Sequence, residues 1–391
     1  MTRAARSIDA GTGAVVVGTL AANICSYLVH LPASRWLTAG EYGEFAVLLQ
    51  ATLLLGVPAL AVQAVVAREV VRGIAIGDVY RSGFWLFGAV CGLSAAAVPV
   101  VMAVAQTGFL ATLSALATAP LLVLIALAQG VIQGRRQFST LGRLLVVVGV
   151  LRAAPVVVVL AMGAGPGGAL AATSAGCGVA AVVAMGTAGL RPRRGPVDRE
   201  TFAGVLRATQ VQGVLIALTS VDLLLSRPVL GSHDAGVYAL GTIATKAAFW
   251  LPQAIGVVIF PSLAEPGRST DAFDRGLRLL TGLGAVVVAA SAIGGPLVPV
   301  IIGDDYRPVA GWLWLFALTG CACAVLQLAL LAAIAVDRTR LAAVSWVALI
   351  AEIILVVTLA DSVLQLAALT CFCCLAAAAI SVVLQRRALK T

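Results

Sequence analysis

Long apolar runs, each about twenty residues or more, alternate with short polar stretches along the whole chain. A helix needs about 20 mostly apolar residues to cross the hydrocarbon core of a bilayer. The pattern predicts twelve such helices, at 11–33, 43–66, 83–105, 109–133, 141–162, 167–190, 205–226, 235–264, 279–302, 311–335, 341–360 and 362–384. The breaks carry turn chemistry or charge, as in Gln106-Thr107-Gly108, Gly163-Ala164-Gly165-Pro166-Gly167 and Asp361-Ser362. At Asp361 two spans abut with almost no loop. The first run follows Arg3 and Arg6 but is too long for the apolar part of a signal peptide, and many spans follow it. It is read as the first membrane helix.

The basic residues test this count independently. Of the 26 Lys and Arg, 21 fall at the N-terminus or in every second connection. The intervening connections hold only Arg35, Arg227 and Arg307. Positive residues accumulate on the cytoplasmic side of membrane proteins, so both termini are placed in the cytoplasm of a plasma-membrane protein. The longest polar stretch, with Pro192, Gly195 and Pro196, reads as a basic linker over 191–204 between a lobe at 1–190 and a lobe at 205–391. The chain is 61% hydrophobic and 11% charged, against about 25% charged in soluble domains, which agrees with lipid as its solvent. A net charge of +9 brings nucleic acid to mind, but the basic residues sit one to five at a time between apolar runs and form no patch. Nucleic acid is therefore excluded as a partner.

The two halves look like a duplication. After the first span comes Ser34-Arg35-Trp36-Leu37, then Glu41-Tyr42-Gly43, then a span containing Val57-Pro58. After the seventh comes Ser226-Arg227-Pro228-Val229-Leu230, then Ala235-Gly236-Val237-Tyr238, then a span containing Leu251-Pro252. The fourth span of each half ends in a basic turn, Arg135-Arg136 and Arg338-Thr339-Arg340, and the fifth carries one mid-span charge, Arg152 and Glu352. Six spans per half make the repeat parallel, an arrangement that often places a transporter's cavity between its halves. Pro58 and Pro252 predict kinks in the second and eighth spans.

Charges at lipid depth are costly and usually face a cavity or a partner. Arg152, Lys246 and Glu352 lie near the middle of their spans and Asp222 nearer the outer end. They are candidate ligands for an anionic head group in a polar cavity, with Lys246 the foremost. The competing reading is interhelical pairing, Arg152 with Glu352 for example. Arg35 and Arg227, matched in the repeat, are candidates for an outer gate or for holding phosphate oxygens; snorkelling to the interface is their alternative. Asn23, Gln50 and Gln253, with Gln63, Gln129, Gln210 and Gln212, are candidate hydrogen-bonding partners for sugar hydroxyls or simple interhelical glue. The eight cysteines all fall in apolar runs, and no Cys/His spacing resembles a metal site. They read as small buried hydrophobes. No catalytic constellation and no phosphate-binding Gly-rich loop is present, so the chain is read as a non-enzyme without metal or cofactor.

The motifs around the repeat resemble the polysaccharide flippases, the oligosaccharidyl-lipid/polysaccharide branch of the multidrug exporter-like superfamily. The resemblance rests on Ser34-Arg35-Trp36-Leu37 with Glu41-Tyr42-Gly43, on Gln129-Gly130-Val131-Ile132-Gln133-Gly134-Arg135-Arg136, and on Asp222-Leu223-Leu224-Leu225-Ser226-Arg227 with Ala235-Gly236-Val237-Tyr238-Ala239 and Phe260-Pro261-Ser262-Leu263-Ala264. It implies an all-α membrane protein of two parallel six-helix lobes in a V-shaped arrangement that works by alternating access. The implied cargo is a polyprenyl-diphosphate-linked oligosaccharide, moved from the inner to the outer leaflet for cell-surface polysaccharide synthesis. Its implied partners are membrane lipid, a polysaccharide polymerase and glycosyltransferases. The alternative is a multidrug or small-molecule exporter of the same fold. Drug exporters of the superfamily often carry an acid in the first helix, and Ala14 to Leu31 contains none.

Overall fold

The computed structural model describes residues 3–73, 76–189, 213–250, 269–335 and 342–390, and every regular element among them is helical. The first half comprises α1 (Arg3–Leu28), the short α2 (His30–Trp36), α3 (Ala39–Leu55), α4 (Val57–Val71), α5 (Ile76–Ala105), α6 (Phe109–Leu116), α7 (Thr118–Gly134), α8 (Phe138–Ala161) and α9 (Pro166–Ala188). In the second half, helical residues 213–218 lead into α10 (Val221–Leu230). Then come α11 (Ser232–Trp250), α12 (Ser269–Gly294), α13 (Leu313–Ala335), α14 (Ala342–Leu359) and α15 (Val363–Lys390).

Ten helical stretches among the described residues are long and apolar enough to cross a membrane. The apolar helix Ala343–Leu359 stands at the expected eleventh span, and α11 covers the described part of the eighth. The protein is a multi-pass membrane protein. The abutting spans at Asp361 are separate helices because Ser362-Val363-Leu364-Gln365 starts a new one. The Asp361 N–H donates to Gln365 Oε1 at 2.8 Å and the Gln365 N–H to Ser362 Oγ at 3.4 Å, a variant of the capping box in which the glutamine reaches the N–H one residue before the N-cap. The kink expected at Pro58 shows as a one-residue interruption of the helix at Gly56, within a single apolar stretch Ala39–Val71. Gly56 separates α3 from α4, and Pro58 sits in the first turn of α4, where its missing N–H costs no helical bond. Pro252 and the linker 191–204 lie outside the described residues.

The chain divides into two compact units, Met1–Thr38 with Leu48–Gln212, and Ala39–Val47 with Gly213–Thr391. Inside the first, α1 packs on α8, α4, α5 and α9 on α7, and α8 on α9. Inside the second, α10 packs on α14, α11, α12 and α15 on α13, and α14 on α15. Numbered by span within each half, these are the same neighbours: first with fifth, second, third and sixth with fourth, fifth with sixth. The fourth span is the buried centre of each half. Leu127, Val131 and Ile132 of α7 and Phe316, Ala317 and Leu326 of α13 are at most 2% exposed.

Lipid removes the usual hydrophobic drive between helices, so close contact of small residues takes its place. On α1, Val17, Leu20 and Ile24 are 57–64% exposed, whereas Gly18 meets the backbone of Gly142 on α8. A Cβ on either glycine would collide with the opposite main chain. One turn further along α1, Ala22 meets Gly149.

Candidate functional site

The hairpin of α10 and α11 turns at Gly231, and residues at similar distances from the turn face one another. Asp222 lies nine residues before it and Tyr238 seven after. Tyr238 Oη donates to Asp222 Oδ2 at 2.6 Å, and both side chains are buried. Lys246, two helical turns further along α11 and half-buried, lies within electrostatic reach of Asp222. Glu352 of α14 joins this group. It is fully buried, senses Asp222 and Tyr238 electrostatically, and has the Thr370 hydroxyl of α15 close by. Among the described residues neither Glu352 oxygen meets a donor at hydrogen-bonding geometry, and Asp222 Oδ1 is likewise unsatisfied. Two buried carboxyl groups and one ammonium thus share the interior of the second unit. Cys323 on α13 and Cys374 on α15 close the cluster with their sulfurs 3.4 Å apart. All eight cysteines are free thiols; six are buried and Cys25 and Cys91 half-buried.

The first unit carries the opposite sign. Arg152 lies mid-depth on α8, half-buried, with Cys177 of α9 as its neighbour. It has no carboxylate partner among the described residues, and its Nε is buried without a hydrogen bond. The sequence explains why. Between Asp78 and Asp198 the chain contains no acidic residue, so the third to sixth spans offer no carboxylate. Glu69, in the last turn of α4, is held by Arg68 and Arg72 at 3.3 and 3.6 Å. Arg152 and Glu352, considered above as a pair, each have their described neighbours inside their own unit.

The remaining candidates scatter. Arg227 at the end of α10 is half-buried and donates from Nη1 to the carbonyl of Gly40 at 2.9 Å, with Glu44 in electrostatic reach. Arg35 at the end of α2 is exposed, Asn23 on α1 half-buried and Gln50 on α3 2% exposed. Gln63 bonds Gln133 across α4 and α7, Nε2 to Oε1 at 3.0 Å, and acts as interhelical glue. Gln129 is buried. Gln210, Gln212 and Gln253 lie outside the described residues. The sequence reading missed Tyr238 and Thr370 as members of the acidic cluster. The one available signal for Tyr238 was its place in the hairpin register, across the turn from Asp222.

The sequence matches no protein-family model and no curated protein. Solved structures do match. An inward-facing multidrug resistance MATE family transporter of the MOP superfamily is 12% identical, with 93% of this chain and 94% of that one covered and a TM-score of 0.73. An outward-facing multidrug resistance MATE family transporter is 13% identical, with 97% and 96% covered and a TM-score of 0.64. This chain has the MATE fold. A further match, from Pyrococcus furiosus, is a MOP superfamily transporter described by a reversed polarity of its binding pocket and a different function, 12% identical, with 97% and 95% covered and a TM-score of 0.61. In this chain the mid-depth charge is positive in one unit and mixed in the other.

Proposed function

We propose that the protein is a flippase that moves a polyprenyl-diphosphate-linked oligosaccharide from the inner to the outer leaflet by alternating access. The observation that carries this reading is Arg152. A half-buried guanidinium at lipid depth, in a unit whose third to sixth spans hold no carboxylate, is a positive charge without a carboxylate partner among the described residues. Such a group is kept only where a hydrated cavity or an anion meets it. Its planar fork suits two phosphate oxygens at once. A diphosphate-linked glycan supplies that anion, and its lipid tail stays in the bilayer. A carrier of cationic drugs has no use for a lone guanidinium in its path. Cytoplasmic glycosyltransferases would build the cargo and an outer polymerase would consume it.

In a strain lacking the protein, lipid-linked glycan should accumulate on the inner leaflet. Wild-type protein reconstituted in vesicles should expose the glycan of a polyprenyl-diphosphate-linked substrate to an external lectin. Arg152→Gln should lose most of that activity while reaching the membrane in normal amounts. A deletion strain with normal surface glycan but increased sensitivity to drugs would favour the exporter reading instead.

A further inference from the structure

Buried polar side chains almost always find a hydrogen bond, and those that do not call for water, an ion or a ligand. Seven of the twelve buried side-chain atoms that lack one among the described residues sit on just two helices, α14 and α15, so the shortfall is local. They are the Ser345 hydroxyl, both oxygens of Glu352, the hydroxyls of Thr370 and Ser381, and both amide atoms of Gln385. None of these five residues is more than 2% exposed. Helical serines and threonines commonly bond the carbonyl four residues back, as Thr319 on α13 and Thr358 on α14 do at 3.0 and 2.7 Å. Ser345, Thr370 and Ser381 do not.

The five residues form a line. α14 and α15 are packed neighbours joined at Asp361-Ser362. Glu352 and Thr370 each lie nine residues from Asp361 and stand side by side, which fixes the register. Ser345 is then level with Ala377, each sixteen residues from Asp361. On α15, Thr370, Cys374, Ala377, Ser381 and Gln385 recur at intervals of three and four, which is one face of a helix, and all five are buried. At 1.5 Å per residue that face runs about 22 Å from Thr370 to Gln385. The next residue, Arg386, pairs with Asp274 of α12 at 2.8 Å, and both side chains are partly exposed, so this end of the line lies near the surface. At the other end, the titratable groups in electrostatic reach of Glu352 among the described residues are Asp222 of α10, Tyr238 of α11, Cys323 of α13, and Cys373 and Cys374 of α15.

Leaving so many polar atoms dry would consume a large share of a protein's net stability. A single bound ion would satisfy one point, whereas the unsatisfied atoms are spread along the helix. Water satisfies them all, because each molecule bonds two to four polar groups and can bond another water. Cys374 and Ala377, the residues of this face between Thr370 and Ser381, are both small.

We propose that a file of bound water runs along the α14–α15 seam from Gln385 to Glu352 and gives this buried carboxyl group a proton route to the end of the second unit where α15 finishes. The three hydroxyls both donate and accept, and the Gln385 amide offers one group of each kind, so a proton can be handed along the file in either direction with no net change in any residue. The file belongs to the second unit alone and holds whatever the cargo is.

Two measurements on the whole protein in lipid nanodiscs test it. X-ray radiolysis oxidises side chains that touch water, buried ones included. Cys374, on the line and not exposed at all, should oxidise several-fold faster than Cys321, which packs toward the Gly284 carbonyl of α12 and is 9% exposed. Burial alone predicts the reverse order. In infrared spectra, the carboxylic-acid band that Glu352→Gln abolishes should shift rapidly in D2O in the wild type. In Ser381→Ala/Gln385→Met it should shift several-fold more slowly, while the melting temperature stays within a few degrees of the wild type. Should the pair fail to fold, Ser381→Ala alone makes the same comparison. Oxidation of Cys374 no faster than Cys321 overturns the water file. So does a double variant that melts well above the wild type, the mark of dry polar groups replaced by apolar ones. Equal exchange rates in wild type and variant overturn the proton route, as does a Glu352 band that appears at no pH the protein withstands.

Discussion

Removing the ammonium of Lys246 tests whether its first duty is to Asp222 or to the cargo. Asp222 is 3% exposed and Glu352 not exposed at all, and Lys246 is a cation within electrostatic reach of Asp222. Breaking a fully buried ion pair by deleting one partner costs about 3–5 kcal/mol, chiefly because the other charge is left stranded. Lys246 is only half-buried, so solvent screens part of the attraction and the loss should fall at or below the lower end of that range. Even that is a large share of the 5–15 kcal/mol that holds typical domains folded. Lys246→Ala should therefore lower the melting temperature in detergent by several degrees and reduce the amount of protein in the membrane. Asp222→Asn with Lys246→Met removes both charges and should recover most of the loss, since the stranded carboxylate is gone; a double-mutant cycle isolates the coupling. Lys246→Arg should retain the stability but not the shape. If Lys246→Ala melts like the wild type and accumulates normally yet transports nothing, the pairing argument fails and the ammonium is a cargo contact.

Four other outcomes follow from the same structure. Reporters fused after Arg72, Arg136, Arg275 and Arg387 should read cytoplasmic and those at Gly40, Thr107, His233 and Asp305 external; a cytoplasmic signal at His233 would mean an odd number of spans in the first half. Gly142→Leu puts a branched side chain where α8 touches the backbone of α1 at Gly18 and Ala14, and should cost more than the 1–3 kcal/mol typical of overpacking, seen as loss of folded protein by size-exclusion chromatography. Replacing Gly163, whose φ is +84° but which has open space around it, should cost only the backbone strain of about 1 kcal/mol and leave folded yield nearly unchanged. Arg227→Gln removes the hydrogen bond to the Gly40 carbonyl and should lower the melting temperature in detergent by a few degrees without abolishing the fold.

Most of the architecture was legible in the sequence because a bilayer leaves the chain few choices. Backbone groups in hydrocarbon must bond within their own helix, so apolar runs of the right length become helices, and the alternation of arginine-rich and arginine-poor turns counts them. The boundary at Asp361-Ser362 was legible only as a charge between abutting apolar runs, and the structure adds the caps from Ser362 and Gln365 that start the new helix. The contents of the units were harder to read. Periodicity cannot tell which face of α8 meets α1, because glycine, alanine and valine are all tolerated by lipid; Gly142 and Gly149 are interfacial only because small residues on α1 come opposite them. The partnership of Tyr238 with Asp222 depends on where the hairpin turns, and that of Glu352 with both depends on packing between α14 and α10. The assignment of Ala39–Val47 to the second unit has no local signature at all. It arises from contacts with residues about 190 positions away.

The repeat clarifies why the two units differ in charge. Each is built on the same adjacency of spans around a buried fourth helix, so the interior of each presents the same places to a mid-span side chain. On the fifth span one place is taken by Arg152 and its counterpart by Glu352. The consequences of the two choices are unequal. Glu352 is fully enclosed beside Asp222, Tyr238 and Thr370, whereas Arg152 keeps part of its surface open and has the Cys177 thiol at hand and no carboxylate partner among the described residues. A carboxyl group that is enclosed beside another acid serves its own unit first, while a guanidinium left half-open without an acid is free to serve a ligand. Exchanging the signs tests that distinction directly. Glu352→Gln should change protein stability more than Arg152→Gln does, because it alters a packed interior, and Arg152→Gln should change transport more than stability. The comparison needs only melting temperatures and flipping rates for the two variants. Equal losses of stability with equal losses of transport would show that both charges are structural and that the anion is bound elsewhere.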